Sequence, residues 1–194
     1  MKIVASQILN QNPLLDVGCG SGMISKLIDR NFSYVGIDFN LNYLSSGWKG
    51  RDVDGKIAGN VLELPFRSES LKTVLLLHVV EHFPERLQLP LLKETSRVLQ
   101  SGGRLIISTP NRGTWRNADL FLPPKNPKHF HCLHKNEVEH LLERAGFREP
   151  SRHGYDIFLD YPHPLARLIP YNLRKALATR FSRLDKWLIF TASK

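Results

Sequence analysis

The segment Leu14-Leu15-Asp16-Val17-Gly18-Cys19-Gly20-Ser21-Gly22, followed by Val35-Gly36-Ile37-Asp38, constrains this chain more than any other part of it. An apolar run stops in a glycine-dense turn. Residues with helical spacing follow, then a second apolar run ending in an acid, which together spell a strand, turn, helix and strand. Glycines in such a turn permit positive φ and let the backbone approach a ligand closely. Asp38 stands at the tip of the second strand, where a carboxylate accepts both hydroxyls of a ribose. The unit therefore reads as a nucleoside site.

Spacing discriminates among nucleotide ligands. A dinucleotide fingerprint requires G-x-G-x-x-G, whereas Gly18, Gly20 and Gly22 run G-x-G-x-G, the third glycine arriving one residue early. The chain has no G-x-x-x-x-G-K-[ST] loop for a nucleoside triphosphate. Hydrophobic patterning predicts strands near 14–17, 34–38, 55–60, 73–78 and 104–109 and a last strand over 187–192. Helical spacing is predicted for 21–29, with Met23, Ile24, Leu27 and Ile28 on one face, and for 137–145, with Val138, Leu141 and Leu142 inward and Gly146 as the stop. Alternation of this kind implies an α/β domain with a parallel sheet covered on both sides, its ligand outside the carboxyl ends of the strands. Gly18, Asp38, Asn60 and His78 all fall at such ends.

Asp16 to Gly22 resembles the first motif of the class I S-adenosylmethionine-dependent methyltransferases, and Val35 to Asp38 their second. Three further segments follow in that family's order: Ile57 to Phe66 is similar to its third-strand segment, Thr73 to His82 to its fourth strand and loop, and Val98 to Asn111 to its helix, turn and fifth strand. The resemblance covers residues 14–147 and is to the small-molecule branch, in particular the quinone-pathway type. It implies a doubly wound, mostly parallel seven-stranded sheet with an antiparallel last strand. It also implies S-adenosyl-L-methionine as cofactor, met by Asp16, Gly18, Cys19, Gly20, Gly22, Asp38, Phe39, Asn60, Val61 and His78. Asn60 stands where that branch usually has Asp, a mild departure because an amide oxygen also accepts from an adenine amine.

The implied reaction is direct in-line methyl transfer to a small-molecule or lipid-like acceptor, at oxygen, and a nucleophile with a proton then needs a base. Histidine suits that role near neutral pH. His78 is the first candidate and His131 the second. Glu81-His82 reads as a loop-orienting feature at a helix entry. Of His129, His131, Cys132 and His134, only His129 and His134 have the spacing of a zinc pair, and no partner cluster accompanies them. Some quinone-pathway relatives look as though they hold a divalent cation near the positions of His78, Glu81 and His82; here the first is His rather than an acid, and no metal is expected.

With 194 residues, a single methyltransferase domain over 1–194 is expected. Two cysteines, no signal-peptide pattern and no apolar run near the ~20 residues of a membrane span point to a cytoplasmic setting. A net charge of +9 suits nucleic acid, but the sequence contains no Asn-Pro-Pro-Tyr-type motif and no RNA-binding module, so nucleic acid is not the expected partner. Part of that charge lies in a basic amphipathic stretch over 165–186, including Arg167, Arg174 and Arg180. It is read as packed on the body, with contact to an anionic membrane surface or to a phosphate-bearing substrate as the alternatives. The connections 111–135 and 159–186 are long enough to cover the site and choose the acceptor, Phe121, Leu122, Phe130 and Tyr161 as walls and His129, His131 and Arg167 as polar contacts. RNA or protein methylation, or cofactor binding without catalysis, remain the competing functions, and oligomeric state is left open.

Overall fold

A computed structural model describes residues 2–8, 12–112, 131–153 and 187–194. Seven strands form one sheet: β1 (Leu14–Val17), β2 (Tyr34–Asp38), β3 (Gly55–Ala58), β4 (Leu71–Leu77), β5 (Leu99–Pro110), β6 (Arg148–Arg152) and β7 (Trp187–Ser193), in spatial order β3-β2-β1-β4-β5-β7-β6. Strands β1 to β5 pair in parallel, whereas β7 runs antiparallel between β5 and β6. The order reverses between β1 and β4, and that switch point opens the crevice at their carboxyl ends.

Alternate residues of the central strands feed two cores. Leu15, Val17, Val74, Leu76, Leu105, Ile107 and Phe190 join one, beneath helices α3 (Glu85–Val98) and α4 (Lys135–Arg144), numbered after α1 (Lys2–Gln7) and α2 (Leu41–Leu44). Leu14, Tyr34, Leu75, Ile106 and Ile189 join the other, with Val4, Ile24, Ile28 and Phe32. Burial on both faces is why β1, apart from Asp16, and the Val74–Leu77 part of β4 are apolar.

One predicted element comes out differently, and one strand has no counterpart in the sequence pattern. The helix expected over 21–29 is a five-residue 3₁₀ turn, Met23–Leu27. Ile24 and Ile28 are buried, but Met23 and Leu27 are exposed. Ser25 explains the change: its amide and its hydroxyl both donate to the Gly22 carbonyl, at 3.1 and 2.7 Å, closing a tighter turn than an α-helix would. Strand β6, Arg-Glu-Pro-Ser-Arg, carries no apolar alternation and was not among the strands read from patterning; it is a polar edge strand held by β7. The other expected strands and the helix ending at Gly146 (φ +89) are present within two residues or so at most ends, although β5 starts earlier, at Leu99.

The connection from β3 to β4 is tied to α3. Leu64 N–H donates to Glu94 Oε1 at 2.7 Å, and Arg97 donates to the carbonyls of Leu64 and Phe66. The Arg97 guanidinium also holds the Glu94 carboxyl below the ordinary carboxylate range. This clamp sets the segment carrying Asn60 and Val61 at the sheet edge. Most of the two expected covers, 113–130 and 159–186, lies outside the described residues, with His129, Phe121, Leu122, Phe130, Tyr161 and Arg167 in them.

Candidate active site

The glycine turn crosses from β1 onto β2. Gly18 N–H and Cys19 N–H both donate to the Ile37 carbonyl, at 2.8 and 3.1 Å. Gly18 has φ +70, and a Cβ there would lie 2.4 Å from Val79 Cγ2, so the turn needs glycine for conformation and for contact with the residue after His78. Gly20 is different. Its φ is +52, but nothing lies within 4 Å of where a Cβ would be, which leaves open space over that backbone.

Asp38 holds this turn from the end of β2. Its Oδ2 accepts from Gly20 N–H at 2.8 Å and its Oδ1 from Asn40 N–H at 2.9 Å, with the residue 6% exposed. Each carboxylate oxygen keeps a further acceptor site. The open face of Gly20 beside a fixed carboxylate fits a nucleoside with a vicinal diol.

Below the turn lies Asp16, fully buried, its carboxylate accepting from the Tyr34 hydroxyl. Burial pushes its pKa up to about 7; the Tyr34 hydrogen bond opposes this and the Asp38 charge adds to it. Cys19, whose thiol donates to the Gly20 carbonyl at 3.7 Å, is also raised, by burial first and then by Asp16 and Asp38. A neutral thiol there is packing rather than nucleophile. Phe39 and Leu41 form an exposed apolar rim, at 83% and 67% exposure, just beyond Asp38. Asn60 is exposed and accepts from Leu62 N–H at 3.0 Å, and Val61 beside it is buried.

His78 follows β4 on left-handed backbone, φ +57, its N–H donating to the Ser108 carbonyl at 2.9 Å. Its ring meets Trp187 edge to face at 4.4 Å and its side chain is 42% exposed. The 3₁₀ turn Val80–His82 follows, with Glu81 buried and His82 exposed.

His131 stands in a different network. Its Nε2 lies 3.3 Å from Arg112 Nη1 and its Nδ1 3.4 Å from Gln88 Oε1. A guanidinium only donates, so Nε2 accepts and Nδ1 carries the proton toward Gln88. Gln88 also donates to the carbonyls of Val80, Phe83 and His131. Arg112 pairs with Glu137 at 2.5 Å, and Glu137 caps α4 by accepting from His134 N–H at 2.6 Å. With Arg112 N–H on the Leu133 carbonyl at 3.0 Å, these bonds close the base of the connection between β5 and α4. Gln88, Thr109, Arg112 and Trp187 had no motif of their own to announce them: Gln88 and Arg112 reach His131, Thr109 reaches Glu81 and Trp187 reaches His78 across 19 to 109 residues and meet them only in the fold. Among the described residues, no group of three or more His, Cys, Asp or Glu could hold a metal ion.

Residues 15–107 match the family described as "Methyltransferase domain". A relative from Mycolicibacterium smegmatis, named "Probable S-adenosylmethionine-dependent methyltransferase", is 34% identical over 139 residues, covering 69% of this chain and 51% of its own length. The demethylmenaquinone methyltransferase of Lactococcus lactis is 26% identical over 174 residues, covering 73% of this chain and 68% of that protein. A solved S-adenosylmethionine-dependent methyltransferase from Thermotoga maritima superposes with a TM-score of 0.73 at 19% identity, covering 100% of this chain and 87% of that one. The chain spans about half the length of the first curated relatives it matches. A glycine turn held by a buried acid at the switch point of this sheet order thus lies within residues that match the methyltransferase-domain family, on the fold of the solved S-adenosylmethionine-dependent methyltransferase.

Proposed function

We propose that the protein transfers a methyl group from S-adenosyl-L-methionine to an oxygen of a small or lipid-like acceptor, with His78 as the general base. The supporting observation is the half-open His78 side chain at the end of β4, one residue from Val79, which packs against Gly18 of the glycine turn. In this reading Gly18, Cys19, Gly20 and Gly22 lie along the amino-acid end of the cofactor and Asp38 takes the ribose. Phe39, Asn60 and Val61 line the adenine, and Asp16 supports the turn from below. The bound cofactor supplies a methyl already activated on sulfonium, so no covalent enzyme intermediate is required. The chain has to orient the acceptor, exclude water and receive a proton.

His78 suits the proton better than His131 because neither ring nitrogen of His131 is free of a neighbour. His131 then serves to hold the start and end of the acceptor-side connection together. The segments 111–135 and 159–186 are proposed to cover the acceptor, and the name of the quinone-pathway relative favours a lipid-like one.

The test uses cofactor carrying a ¹³C-methyl label, incubated with lipid extract, with polar metabolites and with total tRNA in parallel. Label appearing in an organic-soluble small molecule as an O-methyl carbon supports the reading. Label confined to tRNA, which the net charge of +9 would favour, replaces it with RNA methylation. Cofactor binding with no transfer to any pool would make the chain a binding protein.

A further inference from the structure

Glu81 is buried in the turn after β4, its side chain 1% exposed, and the methyl-transfer reading above leaves it without a task. Its Oε2 accepts from the Thr109 hydroxyl at 3.2 Å. Its Oε1 is buried with no hydrogen-bond partner among the described residues and faces His78 Nδ1 at 3.5 Å. An unmatched carboxylate oxygen in such a place is costly, and catalytic hydrogen bonds are often long before ligands bind. The negative charge is felt nearby. Burial first and then Glu81 raise the Cys132 thiol, against the opposing pull of Arg112.

A backbone conformation and two contacts fix the histidine toward this oxygen. The left-handed φ of +57 is a strained conformation for a residue with a side chain, the bond from His78 N–H to Ser108 anchors the backbone, and Trp187 sets the ring plane. Strain at a solvent-open residue, held by the surrounding structure, marks a position where direction matters more than comfort.

We propose that Glu81 is a positioning residue that accepts a hydrogen bond from Nδ1–H of His78, fixes that tautomer and leaves the Nε2 lone pair on the open side of the ring. The proposal rests on the reading of His78 as base. An acceptor hydroxyl gives its proton to Nε2, its oxygen uses the freed electron pair to bond the methyl carbon, and the bond from that carbon to the sulfonium sulfur breaks with its electrons left on sulfur as a neutral thioether. The imidazolium then stands beside the Glu81 carboxylate, and its proton leaves through the exposed face of the ring to water. In neutral form the ring could not do this with the opposite tautomer, because Nε2 would already carry a proton.

The test reads the tautomer directly by ¹⁵N–¹H multiple-bond correlation on the whole protein, the His78 signals being assigned by their loss in His78→Gln. Wild type above the imidazole titration should show Nδ1–H, whereas Glu81→Leu should revert to Nε2–H, the form a solvated imidazole prefers. Wild type with Nε2–H, or Glu81→Leu still holding Nδ1–H, overturns the proposal. A cooperative melting transition certifies the variant, and if it fails to fold the wild-type spectrum decides alone. Once an acceptor is identified, Glu81→Leu should lower kcat at least about tenfold with KM little changed, the pattern of a lost proton acceptor rather than lost binding. Methyl transfer at the full rate by His78→Gln would refute the base while leaving the tautomer result standing, so the two readings fail separately.

Discussion

Replacing Asp16 with Asn should remove a pH dependence that the fold has built under its cofactor turn. Burial moves this carboxyl from its ordinary value of 3.8 to about 7, with the Tyr34 hydroxyl only partly offsetting the loss of water. Because the folded state holds the proton longer than the unfolded chain does, the associated stability is full below pH 3.8 and is lost as pH rises through about 7. A shift of that size corresponds to at most about 4 kcal/mol, a large part of the ~5–15 kcal/mol of a typical domain. Asn is neutral throughout, and its amide oxygen can still accept from Tyr34. Any constant cost of the substitution cancels when only the change with pH is compared. Urea unfolding of both proteins without cofactor, at steps from about pH 4.5 to about pH 8, measures the effect. Asp16→Asn should gain on wild type progressively across that window, by as much as about 3–4 kcal/mol at the alkaline end. A stability difference constant to within about 0.5 kcal/mol would show that Asp16 ionises freely, and would refute the account of a dry carboxyl beneath the turn.

Asp38→Ala removes the acceptor for Gly20 N–H and Asn40 N–H; calorimetry with S-adenosylhomocysteine should find affinity weakened roughly 10- to 150-fold, the range of one lost charge-assisted bond. Gly20→Ala meets no clash, only the left-handed backbone at φ +52. Denaturation should therefore record a loss of about 1–2 kcal/mol, while the methyl group occupies the open space and calorimetry should register a much larger fall in cofactor affinity than the fold alone explains. At Gly18 an alanine Cβ lands 2.4 Å from Val79 Cγ2, so Gly18→Ala should melt lower than Gly20→Ala, and Val79→Ala in the same chain should recover part of the difference. Asn60→Asp should bind cofactor at least as well as wild type and Asn60→Leu less well; equal affinity for the Leu variant would remove Asn60 from the adenine edge.

What the sequence determined by itself is the frame and the glycine turn with an acid at the next strand tip. Strands β1 and β4 are buried on both faces, so their composition alone marks them. The glycine turn and Asp38 are readable because positive φ calls for glycine and the acid stands at a strand tip: Gly18 and Gly20 take φ +70 and +52. The polar edge strand β6 was not legible, since only its hydrogen bonds to β7 make it a strand. Nor was the shortening of the helix after the glycine turn, which depends on one serine hydroxyl returning to Gly22. The tertiary structure alone decided how the histidines differ. His78 and His131 look alike in the sequence, but one is turned toward a buried carboxylate and a tryptophan from β7, and the other is held between Gln88 of α3 and Arg112. Those partners come from distant parts of the chain, and whether an imidazole can receive a proton is set by its neighbours rather than by its own identity.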